Sequence, residues 1–362
     1  MPVQISVPRE QRQRLLVFNL RTDSDDHILG FTTRWLNELT QYYEHIDVLT
    51  THKGTLAVAD NITVYSTGRE RGFGRLKQLA TFYQTLTTLV LKHHYDACFA
   101  HMQPLFAALA APILQMRGIK VTTWYTHRQT NLPVQLASRW SYRIVTAVES
   151  SFPVKTSKLR PLGHGIDPDF YHPSQDNLSS RPRIVQVARL TEIKNQHILL
   201  EAVKDLDCEV VFVGDIPDGY DDDYKQKLIA QVARDEMQER VIFAGAQTPE
   251  EVVQWYNTAQ IAVNLSPAGL FDKAALESMS CATPTIISNP AFADLTGDYD
   301  SLLRIESPTD KTALQACIKQ ILALREAEYQ HIGQHLREGI IAHHSLATLI
   351  KKLVNVMHTG NI

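Results

Sequence analysis

Residues 183–206, RIVQVARLTEIKNQHILLEAVKDL, decide the fold. The opening, 183–188, is a short run rich in Val and Ile and predicts a buried strand; the close, 196–206, repeats apolar residues at helical spacing and predicts an amphipathic helix. Between them Arg189 and Lys194 sit in a loop. Outward from this unit the same alternation continues. Strands are predicted at 209–214, 240–244, 261–265 and 283–288, with helices at 224–236, 249–258 and 273–281 between them. Towards the amino end, strands are predicted at 14–20, 46–50, 62–66, 97–101, 120–125 and 143–148, and helices at 30–43, 74–94, 104–116 and 132–141. Alternation of this kind means parallel sheets with helices on both faces, an α/β class.

The alternation breaks once. Residues 167–183 hold Pro168, Pro173, Pro182 and a Ser/Asn/Asp cluster, which reads as a linker. Two doubly wound, Rossmann-like domains facing each other are therefore expected, 1–172 and 173–340, followed by a C-terminal stretch 341–362 whose residues 344–358 form an amphipathic helix.

Composition agrees with this. The chain has 362 residues, 44% hydrophobic and 21% charged, which excludes disordered, collagen-like and disulfide-scaffold classes. Four cysteines lie far apart with no CxxC or zinc spacing, so reduced thiols are expected. No run approaches the roughly 20 apolar residues of a membrane span, and Arg9, Glu10, Arg12 and Arg14 interrupt the opening where a signal peptide would be apolar. A cytoplasmic location is expected, peripheral at the inner face of the membrane. Residues 1–175 hold 19 basic and 13 acidic side chains, whereas the remainder holds 17 and 26. So modest a basic excess does not argue for nucleic acid, but it suits an anionic surface or ligand. Within it, 67–77, TGRERGFGRLK, leads into a helix as a basic, partly apolar surface able to lie on an anionic membrane.

In open parallel sheets, ligands sit beyond the carboxyl ends of the strands. Arg189 and Lys194 stand at such an end, five residues apart, and together suit a diphosphate: Arg offers a fork of donors, Lys a mobile point charge. A second constellation follows the strand at 261–265. There SPAGLFDKAALESMSC, 266–281, gives a Gly-containing loop and then a helix that begins at Asp272 or Lys273. Helix amino ends bind phosphate through unpaired amides. Glu277 lies one turn beyond Lys273, either as its ion-pair partner or as an acceptor for a ribose diol.

The runs VARLTEIKN, SPAGLFDKAALESMSCATPTI and GHGIDPDFYHP together resemble the nucleotide-sugar glycosyltransferases of the GT-B fold, group 1 (GT4-like) family. The resemblance covers the second domain and extends into the first. It implies that Arg189 and Lys194 neutralise the donor's diphosphate and that Glu277, as second Glu of a Glu-x7-Glu motif, binds the nucleotide ribose. It also implies a C-terminal helix packed back on the N-terminal domain. One departure stands out: the first Glu of that motif is Gly269, and the usual Gly-Phe-Gly is Leu270-Phe271-Asp272. In a divergent branch, Asp272, Lys273 and the loop amides would take over sugar recognition; otherwise the donor site is crippled. In the first domain His127, just past a strand, is a catalytic candidate, and His101 and Arg128 are acceptor-side candidates. Gly30, in the loop after the first strand, matches the family's loop beneath the sugar and would let backbone approach the donor.

Asp-x-Asp triplets begin at Asp23, Asp167, Asp205, Asp221 and Asp298, too often for any one to argue for a metal. The chain carries no GxGxxG after a strand, Walker motif, HExxH or GxSxG. The resulting expectation is a hexosyltransferase, retaining and metal-independent, that uses a UDP- or GDP-sugar and a glycan or lipid-linked acceptor in polysaccharide or glycolipid synthesis. No cofactor beyond the donor is expected. A nucleotide-sugar-binding protein of weak activity and a GT-B-shaped sugar-nucleotide epimerase are the alternatives.

Overall fold

The computed structural model describes residues 14–26, 29–127, 129–174, 181–217 and 219–362. It comprises two compact units: Met1–Gly165 with Leu346–Ile362, and Ile166–Ser345. The first crossing lies just ahead of the Pro-rich stretch.

The first unit holds strands β1 (Arg14–Thr22), β2 (His45–Lys53), β3 (Ile62–Ser66), β4 (Ala97–His101), β5 (Val121–Trp124), β6 (Arg143–Thr146) and β7 (Leu159–Pro161) in the order β3-β2-β1-β4-β5-β6-β7. The second holds β8 (Arg183–Val187), β9 (Glu209–Val213), β10 (Val241–Gly245), β11 (Ile261–Asn264) and β12 (Thr285–Ile287) in the order β10-β9-β8-β11-β12. Every pairing is parallel. In each sheet the strand order reverses beside the first strand, between β1 and β4 and between β8 and β11. Loops diverge there and leave a crevice.

β1 shows why these runs become central strands. Leu15, Leu16, Val17 and Phe18 are all buried, the signature of a parallel strand covered on both faces. Leu15 and Val17 join one core cluster with Trp35 and Leu36, while Leu16 and Phe18 join another with Phe82 and Leu86. The alternation follows the two-residue period of the strand.

After a π-helical turn at Ile340–His344 the chain forms the helix Leu346–Thr359, which packs on the first unit as expected. Leu349, Ile350, Leu353, Val354, Val356 and Met357 share the cluster of Leu15 and Trp35. Tyr43 Oη and His358 Nε2 stand 2.8 Å apart, and the Gly360 carbonyl accepts from Arg143 Nε at 2.8 Å and Arg160 Nε at 3.0 Å.

Several elements were not predicted: β7 and the helices Lys311–Leu322 and Glu326–Gly339. The last crosses close to the Lys273–Ser280 helix's far end: a Cβ on Gly333 would stand 2.1 Å from the Ala282 carbonyl oxygen. Only glycine permits that approach. Among the described residues, no helix is long and apolar enough to cross a membrane.

Candidate active site

The site is built at the carboxyl ends of β8 and β11. Beyond β8 the chain must pass the end of β9, where Gly214 has φ +126. A Cβ there would stand 2.2 Å from the Ala188 carbonyl oxygen. The loop that follows is tied at both ends by buried glutamines: Gln196 Nε2 donates to the Arg189 carbonyl at 2.9 Å, and Gln186 Nε2 to the Lys194 carbonyl at 2.7 Å. Asn195, in the left-handed region at φ 56, donates from Nδ2 to the Leu265 carbonyl at 2.9 Å. That bond ties the β8 loop to the β11 loop.

Lys194 ends a short 3-10 turn, Glu192–Lys194, and is buried. Its Nζ donates to Ser266 Oγ at 2.9 Å and pairs with the Asp272 carboxylate. Asp272 also accepts from Ser266 Oγ at 2.7 Å and Asn264 Nδ2 at 3.1 Å. Burial opposes charge on Asp272. The Lys194 charge and the hydrogen bonds from Lys194, Ser266 and Asn264 outweigh it, holding the carboxyl below its ordinary range.

Asp272 is the N-cap residue of the helix Lys273–Ser280, yet its side chain makes no capping bond. Its carboxylate is turned to Lys194 instead. The opening amides of the helix therefore lack a side-chain cap and present the positive end of the helix dipole. One turn on, Lys273 Nζ and Glu277 Oε1 are 2.9 Å apart, with Glu277 buried.

The loop between β11 and this helix explains the departure at Gly269. Leu270 N donates to the Pro267 carbonyl at 3.2 Å, closing a turn whose third residue, Gly269, has φ +88. Such a turn requires positive φ at that position, so a glutamate there would be strained. Asn289 Nδ2 fixes the Leu270 carbonyl at 2.9 Å. Phe271 is buried, stacked on Phe292 with ring centroids 4.5 Å apart and packed on His344 at 5.5 Å. It anchors the loop from beneath.

Lys194, Asp272, Lys273 and Glu277 thus lie together along one helix start. Arg189 stands at the exposed end of β8, and its guanidinium has no hydrogen-bond or ion-pair partner among the described residues. Asn264 and Ser266 were missed in the sequence. Their signal was two polar side chains at alternate positions of the otherwise apolar run 261–266.

In the first unit His101 closes β4 at the strand-order reversal but turns into the core. Its ring lies 5.0 to 6.5 Å from those of Phe31, Trp35, Phe99 and Trp124. Its Nδ1 stands 3.4 Å from Asn19 Oδ1. Burial pushes its pKa down to about 3, so the imidazole is neutral at physiological pH. His127 lies exposed past β5, its ring 6.3 Å from that of Tyr125. Arg128 lies outside the described residues. Gly30 serves its own loop: a Cβ would stand 2.6 Å from the Asp26 carbonyl oxygen and 2.7 Å from that of Ser24.

Comparison with known proteins bears on the fold and on the second unit. Residues 169–338 match the profile of the glycosyl transferases group 1. No curated protein sequence matches the chain. HepE from Anabaena, solved with UDP and glucose, superposes with TM-score 0.71 at 15% identity, covering 96% of this chain and 100% of that one. Sucrose-phosphate synthase from Thermosynechococcus elongatus gives TM-score 0.74 at 16% identity, covering 94% and 97%. The lipopolysaccharide outer core galactosyltransferase WaaB, in apo form, gives 0.65 at 12%, covering 95% and 99%. The chain has the GT-B fold of these glycosyltransferases, and its residues 169–338 match the family model of the glycosyl transferases group 1.

Proposed function

We propose that the chain transfers a hexose-type sugar from a UDP- or GDP-sugar to a hydroxyl of a glycan or lipid-linked acceptor, with retention at the anomeric carbon and no metal ion, in cell-surface polysaccharide or glycolipid synthesis. The observation that carries this reading is the seat of Lys194 Nζ at the opening of the helix Lys273–Ser280. HepE, similar in fold, is described in complex with UDP and with UDP-glucose, and WaaB is a galactosyltransferase.

In the reaction, the bond between the anomeric carbon and the β-phosphate oxygen breaks and its electron pair leaves with the diphosphate. Arg189, Lys194 and the uncapped amides at Lys273 stabilise that negative charge in place of a divalent ion. The acceptor oxygen bonds to the anomeric carbon from the face the phosphate leaves. Its proton then has the departing phosphate oxygen as nearest base. Glu277 accepts hydrogen bonds from the ribose diol, and Lys273 with the amides of Gly269 and Asp272 meets the sugar that Gly269 leaves without a carboxylate. His127, exposed on the first unit, is the further catalytic candidate.

The segment before the helix Arg75–Lys92 suits a lipid-linked acceptor. Arg69, Arg71, Arg75 and Lys77 are exposed, and the Phe73 ring lies 4.6 Å from the Arg71 guanidinium carbon and 3.5 Å from Lys77 Nζ. Leu76 is 85% exposed. The helix opens with no acidic residue in its first turn, against the preference of the helix dipole. An anionic lipid surface matches both the charge and the protruding leucine.

Gly269 favours a second reading, a nucleotide-sugar-binding protein without transfer. Calorimetric titration with UDP, GDP and dTDP, followed by donor-turnover assays over an acceptor panel, separates the two. Binding with transfer supports the transferase; binding without transfer supports the second reading.

A further inference from the structure

The role given to Lys194 raises the question of why its ammonium is held by a carboxylate. A phosphate-binding lysine gains most from an unopposed charge. Here Asp272 stands beside it, accepting from Lys194, Ser266 and Asn264 at once. Asn264 and Ser266 are buried, so three side chains are committed to fixing one carboxylate. Helix capping does not account for Asp272, because its side chain makes no bond to the helix amides. General stability accounts for it poorly, because a buried ion pair seldom outperforms apolar packing of equal volume.

We infer that Asp272 is a positioning residue: it fixes the Lys194 ammonium at the helix start and offsets its charge, so that the nucleoside diphosphate is gripped during transfer and released afterwards. The inference rests on the reading of Lys194 as a diphosphate ligand. Two physical effects act in the same direction. A lysine side chain has several rotatable bonds, and a fixed partner removes the ordering cost at the moment charge develops on the leaving phosphate. An unopposed ammonium, by contrast, binds ground state, transition state and product alike, which tightens binding without raising turnover. Where departure of the diphosphate limits the cycle, tighter product binding slows it.

The test is Asp272→Asn, which keeps the shape and the hydrogen bonds available to Asn264 and Ser266 while removing the charge. UDP and GDP affinities are measured by calorimetry, and kcat and KM with the corresponding donor. The expected result is nucleoside-diphosphate affinity raised several-fold with kcat lowered tenfold or more. A merely structural role would weaken both together. Weaker diphosphate binding in D272N, or unchanged affinity and turnover, overturns the inference. Lys194→Ala measured in parallel tests the reading beneath it. If K194A binds the diphosphate as tightly as wild type, or wild type binds none, that reading falls and this inference with it. If K194A loses affinity while D272N does not gain it, only the inference falls.

Discussion

Lys194 Nζ lies 2.9 Å from Ser266 Oγ, so a cation from the loop after β8 is seated in the loop after β11. The two loops flank the reversal of strand order in the second sheet. Lys194→Ala removes the cation and leaves Asp272 bonded to Ser266 and Asn264. Turnover falls by about 100- to 1,000-fold, the usual cost of losing one such electrostatic donor. Circular dichroism of the variant stays that of the wild type; wild-type turnover in a folded K194A protein contradicts the assignment.

Glu277 is predicted to read the ribose. Glu277→Gln keeps the volume, loses the charge-assisted acceptor and removes the carboxylate that stands 2.9 Å from Lys273 Nζ. Affinity for UDP or GDP falls about tenfold, in line with charge-assisted hydrogen bonds being about twice as strong as neutral ones. Comparison with 2′-deoxy-UDP isolates the contact. Wild type discriminates against the deoxy ligand, and E277Q discriminates much less. Equal discrimination by both proteins removes Glu277 from the ribose site.

His101 gives a pH dependence with a defined sign. Its folded pKa is pushed down to about 3 from an ordinary 6.5 by burial, so the unfolded chain binds a proton the folded chain refuses. Its contribution to stability is complete above pH 6.5 and is lost as pH falls towards 3. His101→Gln, which cannot titrate, flattens the fall in unfolding free energy between pH 6.5 and 4, measured by urea denaturation. A slope unchanged in the variant rules out the buried neutral imidazole.

The basic segment before the helix Arg75–Lys92 is predicted to bind vesicles containing phosphatidylglycerol and to ignore pure phosphatidylcholine. Binding weakens as salt rises, because exposed charges are screened beyond a Debye length of about 8 Å at physiological ionic strength. Leu76→Glu with Lys77→Glu abolishes co-sedimentation and leaves UDP affinity unchanged. Retained vesicle binding in the double variant places any membrane contact elsewhere.

How much was legible in the sequence depended on what each residue had to do alone. The strand 97–101 was readable to the residue because a buried parallel strand is a short apolar run bounded by turns, and 62–66, at the sheet edge, because its buried Ile62 and Val64 alternate with half-buried residues. β7 is only Leu159–Pro161 and pairs on one side, with β6; an edge strand of that length carries no pattern. The helix Glu326–Gly339 buries only Ile332, Gly333 and Leu336, too thin a stripe for periodicity to show. Arg189 and Lys194 were singled out by their place after a strand, and Glu277 by its helical spacing from Lys273. The Lys194–Asp272 pair spans 78 residues, and nothing local in either loop announces it. His101 was found for the same positional reason as Arg189. The aromatic shell that buries it combines Phe99 of its own strand with Phe31 and Trp35 of the helix Phe31–Leu39 and Trp124 of β5, which a one-dimensional reading does not assemble.

A crystal structure with UDP bound tests the central claim most directly. The account predicts phosphate oxygens within hydrogen-bond distance of Lys194 Nζ, the Arg189 guanidinium and the opening amides of the helix Lys273–Ser280, with the ribose hydroxyls on Glu277. UDP bound away from Lys194 and that helix start, or no UDP in crystals soaked at saturating concentration, contradicts it.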